Sequence, residues 1–153
     1  MFSSMKRLIL LSIGVLVTFV QALAADGWLT DFEQAKAKAH ESHRPILALF
    51  TGSDWCPGCI RLQKEVLGTP EFTDYTAKNV VLLEVDFPIK KELPKEQKKA
   101  NQKLESKYDI DGYPTFIVID PKGKKVATID VLTDDAKQLV AKIDQAVKKA
   151  LKS

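Results

Sequence analysis

Three nearly unbroken apolar runs dominate the hydrophobic pattern: Ile46 to Phe50 (ILALF), Val80 to Phe87 (VVLLEVDF) and Thr115 to Asp120 (TFIVID). Runs of this length without a polar face predict strands covered on both sides. The segments between them have helical spacing. Thr30-Asp31-Phe32-Glu33 reads as a capping box opening a helix with Phe32, Ala35 and Ala39 inward, ended at His43-Arg44-Pro45. A second helix starts at Cys56–Cys59, carries Leu62 and Val66 on one side and Ile60 and Leu67 on another, and stops at Gly68. Thr69-Pro70-Glu71-Phe72 predicts a short helical turn. Pro94 opens a lysine-rich helix with Ala100, Leu104 and Tyr108 as its apolar stripe. Pro121-Lys122-Gly123-Lys124 is a turn, Lys125 to Val131 returns as a fourth strand, and Thr133 caps a last helix through Leu139, Val140, Ile143, Val147 and Leu151.

The order α-β-α-β-α-β-β-α predicts an α/β domain: a central mixed β-sheet flanked by helices on both faces. Helices between the first strands predict right-handed parallel crossovers, and the tight final turn adds an antiparallel edge strand.

The N-terminus departs from this pattern. Lys6 and Arg7 precede the apolar run Leu8 to Val20, and Ala22-Leu23-Ala24 supplies a small-x-small cleavage pattern. Residues 1–24 are expected to be a signal peptide cleaved before Ala25, leaving one domain over 25–153. The run is shorter than the ~20 residues of a membrane-spanning helix. The formal charge of +3 falls to +1 on cleavage, with 21 basic and 20 acidic residues left. That balance gives no electrostatic case for nucleic acid. The lysines after Pro94 are interspersed with Glu92, Glu96 and Glu105, as on a solvated helix face.

Export changes the meaning of the two cysteines, Cys56 and Cys59. Disulfides persist outside the cytoplasm, but a bridge across two residues closes too small a loop to staple a fold. Zinc would need four ligands; His40 and His43 precede the cysteines but lie across a full strand from them. A reactive dithiol fits better. Cys56 falls at a helix N-terminus, where unpaired N–H groups and the helix dipole favour the thiolate. Cys59, one turn on, can attack a mixed disulfide at Cys56. Pro57 is tolerated at the first helical position, Gly58 leaves the sulfurs uncrowded, and Trp55 offers a flat apolar contact at the rim. Tyr113-Pro114 stands just before the third strand. A cis bond there would expose the Tyr113 backbone for pairing with a substrate strand, although the sequence fixes neither isomer.

Trp55-Cys56-Pro57-Gly58-Cys59 at a strand–helix junction, with Gly112-Tyr113-Pro114-Thr115 before the third strand, resembles the thioredoxin superfamily over essentially the whole mature chain. The resemblance implies the thioredoxin fold, an attacking Cys56, a resolving Cys59 and a cis Pro114. Phe50 to Cys56 (FTGSDWC) and Glu84 to Pro88 (EVDFP), with the lysine-rich helix after them, are similar to periplasmic proteins of the DsbH type in chlamydia-like bacteria. That likeness implies a reducing role, fed by a membrane-bound redox partner. Two departures stand out. Thioredoxins place Gly before Pro between the cysteines, whereas here Pro57 precedes Gly58. They also carry a buried acid six residues before the first cysteine, where this chain has Phe50. Asp54, Glu84 or water then remain as proton acceptors for Cys59.

The sequence thus predicts a monomeric periplasmic thiol–disulfide oxidoreductase acting on protein disulfides, without metal or organic cofactor. An oxidase or isomerase on the same site, or a non-catalytic binding module, are the alternatives. No dimerisation domain supports the isomerase.

Overall fold

The computed structural model describes residues 27–131 and 135–152. The predicted signal peptide and Thr133 lie outside them. Among the described residues the elements run β1 (Trp28–Leu29), α1 (Phe32–Ser42), β2 (Ile46–Thr51), α2 (Pro57–Leu62) with a π-helical continuation (Gln63–Leu67), α3 (Pro70–Asn79), β3 (Val81–Asp86), α4 (Lys95–Tyr108), β4 (Thr115–Ile119), β5 (Lys125–Ile129) and α5 (Ala136–Ala150). The strands form one mixed sheet in the order β1-β3-β2-β4-β5.

β2 and β3 pair in parallel from Ile46↔Val81 to Thr51↔Asp86, so both strands end at the same edge. β4 runs antiparallel to β2, with Leu49 opposite Phe116 and Phe50 opposite Thr115. The parallel crossover expected between the first strands is present from β2 to β3, whereas the connection through α4 returns β4 antiparallel. The register brings the start of β4 to the end of β2, which sets Pro114 beside the cysteines.

Alternation along the strands divides the core into two layers. Leu47, Leu49, Leu82, Phe116 and Val118 face Phe72 of α3 and Leu139 and Ile143 of α5. Ile46, Ala48, Phe50, Leu83, Val85 and Ile117 face Ala35 and Ala39 of α1 and Leu104 and Tyr108 of α4. Helices therefore cover both faces, as the unbroken apolar strands require. Trp28 stacks on Phe72 and Phe116, at 6.4 and 6.5 Å between ring centroids.

Several boundaries differ from the pattern reading. The cap of α1 is Asp31 rather than Thr30; its carboxylate accepts from the Gln34 amide at 2.8 Å. The expected short turn at Thr69-Pro70 is a ten-residue helix, capped by Thr69 and buried through Phe72 and Thr76. Thr76 hides in this interior by donating its hydroxyl to the Phe72 carbonyl at 2.9 Å, so a polar residue supplies the inward stripe. In α4 Ala100 is exposed and Asn101 takes the inward position. The Asn101 amide donates to the Asp86 carbonyl at 2.8 Å, satisfying both groups in the interior. α5 is capped by Asp135 in a full capping box with Gln138.

Candidate active site

The site forms where β2 runs out. Cys56 is the N-cap of α2, and its Sγ accepts the Cys59 amide at 3.2 Å. Pro57 occupies the first helical turn, where a missing N–H leaves no hydrogen bond unmade. Cys56 and Cys59 are joined as a disulfide with Cα atoms 5.2 Å apart. Both are buried, at 6% and 3% exposure, with Cys59 the deeper. The Gly52 amide donates to Cys59 Sγ at 3.4 Å. Each sulfur thus faces a backbone N–H, the kind of contact that favours a thiolate when the pair is reduced.

From the opposite side comes the Tyr113–Pro114 peptide, which is cis. It places the Tyr113 carbonyl oxygen 3.7 Å from Cys56 Sγ. Pro114 is buried, while Tyr113 is half-buried. Sequence reasoning put Cys56, Cys59, Pro57, Gly58, Tyr113 and Pro114 together, and the fold brings all six to one edge.

Trp55 is 40% exposed, a large share for a tryptophan. Its Nε1–H donates to the Phe87 carbonyl at 2.7 Å, just past the end of β3. Tyr113 sits between two rings: edge-on to Trp55 at 6.1 Å and stacked on Phe87 at 5.2 Å. The Tyr113 hydroxyl donates to Glu105 on α4. Burial pushes the phenol's pKa upward, and the hydrogen bond to the Glu105 carboxylate adds to the shift. Three separate chain segments are braced around the sulfurs by these contacts.

The loop between β2 and Cys56 is held by acids. Buried Asp86 accepts the Ser53 amide at 3.0 Å and the Ser53 hydroxyl at 2.6 Å. Asp54 accepts three consecutive amides, from Ile89 at 2.9 Å, Lys90 at 2.8 Å and Lys91 at 2.9 Å. The Ile89 amide does most to hold its carboxyl below the usual range, against a smaller opposing effect of burial. An acid so engaged is a poor base, so Asp54 does not fit as proton acceptor for Cys59. Glu84 lies on β3 opposite Leu49, and burial raises its carboxyl pKa, with Asp86 adding and Lys91 opposing. The charges that act on it are those of Asp86 and Lys91. Phe50, at the position of the usual acid, is fully buried in the layer under α1 and α4. His43 caps the far end of α1, before β2, while Cys56 follows its other end. A six-residue strand, about 20 Å long, separates them and rules out a shared zinc site.

Sequence reasoning missed Gly52, Ser53, Phe87 and Ile89. The EVDFP stretch was visible as a motif, but nothing local shows that Asp86 and Phe87 serve a loop more than thirty residues earlier.

Comparison with known proteins agrees with this fold. The thioredoxin-like domain family matches residues 32–147. A Chlamydia pneumoniae protein, disulfide bond reductase DsbH, is 35% identical over 117 residues, covering 76% of this chain and 70% of that protein. Thioredoxin-related protein DsbJ of the same organism is 30% identical over 102 residues, 67% of this chain but only 29% of its own length. Among solved structures, a DsbH oxidoreductase superposes with a TM-score of 0.74 at 35% identity, over 79% of this chain and 83% of that one. A Thermus thermophilus thioredoxin shares the fold, with a TM-score of 0.62 at 20% identity over 80% and 88% of the two chains.

Proposed function

The chain belongs to the thioredoxin-like domain family and is a thiol–disulfide oxidoreductase, and on that premise we propose that it is a periplasmic reductase of protein disulfides. The observation that carries the mechanism is the placement of Cys56 Sγ, at the N-terminus of α2 and 3.7 Å from the carbonyl of the residue before a cis proline. In the reduced protein the Cys56 thiolate attacks one sulfur of a substrate disulfide. A mixed disulfide forms and the other substrate sulfur leaves as a thiolate. Cys59, deprotonated in turn, attacks Cys56 Sγ and releases the second substrate sulfur. The substrate gains two electrons and the Cys56–Cys59 disulfide remains.

Tyr113 and Pro114 present a backbone edge to the substrate chain, Trp55 packs against it, and Pro57 and Gly58 leave the approach to Cys56 open. A membrane-bound dithiol donor restores the reduced form. The signal-peptide pattern in the sequence of residues 1–24 supports the periplasmic setting. The likeness to the disulfide bond reductase supports the reducing direction.

The test of direction is the reduction potential of the pair, by equilibration with glutathione. A value near the thioredoxin end, about −270 mV, is expected; one near about −120 mV would mark an oxidase on the same site.

A further inference from the structure

Ile89 is 73% exposed, the most exposed large apolar side chain among the described residues. It sits in the short segment between β3 and α4 whose amides are gathered by Asp54, the residue next to Trp55. The preceding residue pair is fixed as well, since the Phe87 carbonyl accepts the Trp55 indole and the Phe87 ring stacks on Tyr113. Asp54 therefore holds an exposed isoleucine on the same edge as the exposed Trp55 ring. Isolated exposed apolar residues are ordinary. This one is presented by a three-amide clasp beside a reactive cysteine pair.

Lysines are in modest excess in this segment. Lys90, Lys91, Lys95 and Lys98 outnumber Glu92 and Glu96 across this segment. Lys91, Lys95 and Lys98, with Ile89, Leu93 and one glutamate, Glu92, line a cleft of about 450 Å³ that also takes in Phe87 and Asp86. Lys91 Nζ lies 3.9 Å from Asp86, which leaves Lys95 and Lys98 against Glu92 at the rim and an excess of positive charge there.

We propose that Asp54 is a positioning residue which holds Ile89 and the flanking lysines as a second wall of the substrate site, selecting disulfides flanked by an apolar and an acidic residue. The occupant is an extended segment of a protein substrate, its apolar side chain between Ile89 and Trp55 and its acid toward the lysine rim. The inference rests on Cys56 being the attacking thiol.

The test uses the Cys59→Ser protein, in which the reaction stops at the mixed disulfide and the direction of the full cycle does not enter. The second-order rate of adduct formation is measured by stopped flow with three oxidants. Two are disulfide peptides of one length, with Leu and Asp or with Ser and Lys beside the cysteine. The third is hydroxyethyl disulfide, too small to reach Ile89. The Leu/Asp peptide is expected to react faster than the Ser/Lys peptide, and Ile89→Ser or Asp54→Asn should each cut that preference about tenfold, the scale of one lost apolar contact in a pocket. Ile89 is exposed and Asp54 partly so, and circular dichroism checks the folding of both variants. A preference that survives both substitutions overturns the proposal. So does an Asp54→Asn protein that slows hydroxyethyl disulfide as much as the peptides, because Asp54 would then act on the sulfur itself. A protein that reacts with none of the three defeats the Cys56 assignment, and the proposal with it.

Discussion

The Trp55 indole lies across the α-carbon of Gly52, so close that a β-carbon there would fall 2.5 Å from its Cε2 atom. Gly52 also donates its amide to Cys59 Sγ. One residue without a side chain thus lets the rim tryptophan close over the loop while its backbone serves the buried sulfur.

Gly52→Ala is expected to push the indole outward, because the nearest atoms a β-carbon would meet all belong to the Trp55 ring. Its predicted stability cost is about 1–3 kcal/mol, as for overpacking elsewhere. Trp55 fluorescence should shift to the red and peptide reduction should slow. An unchanged emission spectrum would contradict the packing described here.

Tyr113 has two separable functions. Tyr113→Phe keeps the ring between Trp55 and Phe87 and removes the hydroxyl bonded to Glu105. A stability loss of about 1.5–3 kcal/mol is expected from chemical denaturation, in the range of hydrogen bonds to charged groups. Tyr113→Ala removes the ring as well and should also slow peptide reduction markedly. Equal kinetic effects from both variants would place the important contact at the hydroxyl instead.

Glu84 carries the clearest pH signature. Its carboxyl pKa is raised above the ordinary 4.5, chiefly by burial and then by the charge of Asp86. A folded value above the unfolded one means that folding favours the protonated acid. Its favourable contribution is present below pH 4.5 and is lost as pH rises through the folded value. Glu84→Gln should therefore raise the melting temperature by a few degrees at pH 7 and by much less at pH 4. Thermal melts at the two pH values check this; an equal gain at both would show that charge is not the cause.

Much of this architecture is legible in the sequence. Unbroken apolar runs mark β2, β3 and β4, since strands covered on both faces need no polar side. The dithiol and the Tyr113–Pro114 pair are readable as motifs because each residue type has a local chemical reason to stand there. What escapes depends on distant partners. Two residues, Trp28 and Leu29, are too few to show alternation, so β1 is invisible until it pairs with β3. The direction of β4 is decided by how the connection through α4 returns, which no strand pattern encodes. Thr76 and Asn101 look polar and outward, yet are inward because a carbonyl satisfies each. Asp54 looks like a base near a cysteine; only the fold shows its oxygens committed to amides thirty-five residues later.

The exchange chemistry assigned to Cys56 and Cys59 is tested most directly by trapping. Cys59→Ser protein, incubated with a disulfide-bearing protein substrate and resolved without reductant, is expected to accumulate a covalent adduct that dithiothreitol releases. The adduct should be absent when Cys56→Ala is added. Adducts that persist without Cys56, or a Cys59→Ser protein that forms none while the wild type turns the same substrate over, would contradict the assignment.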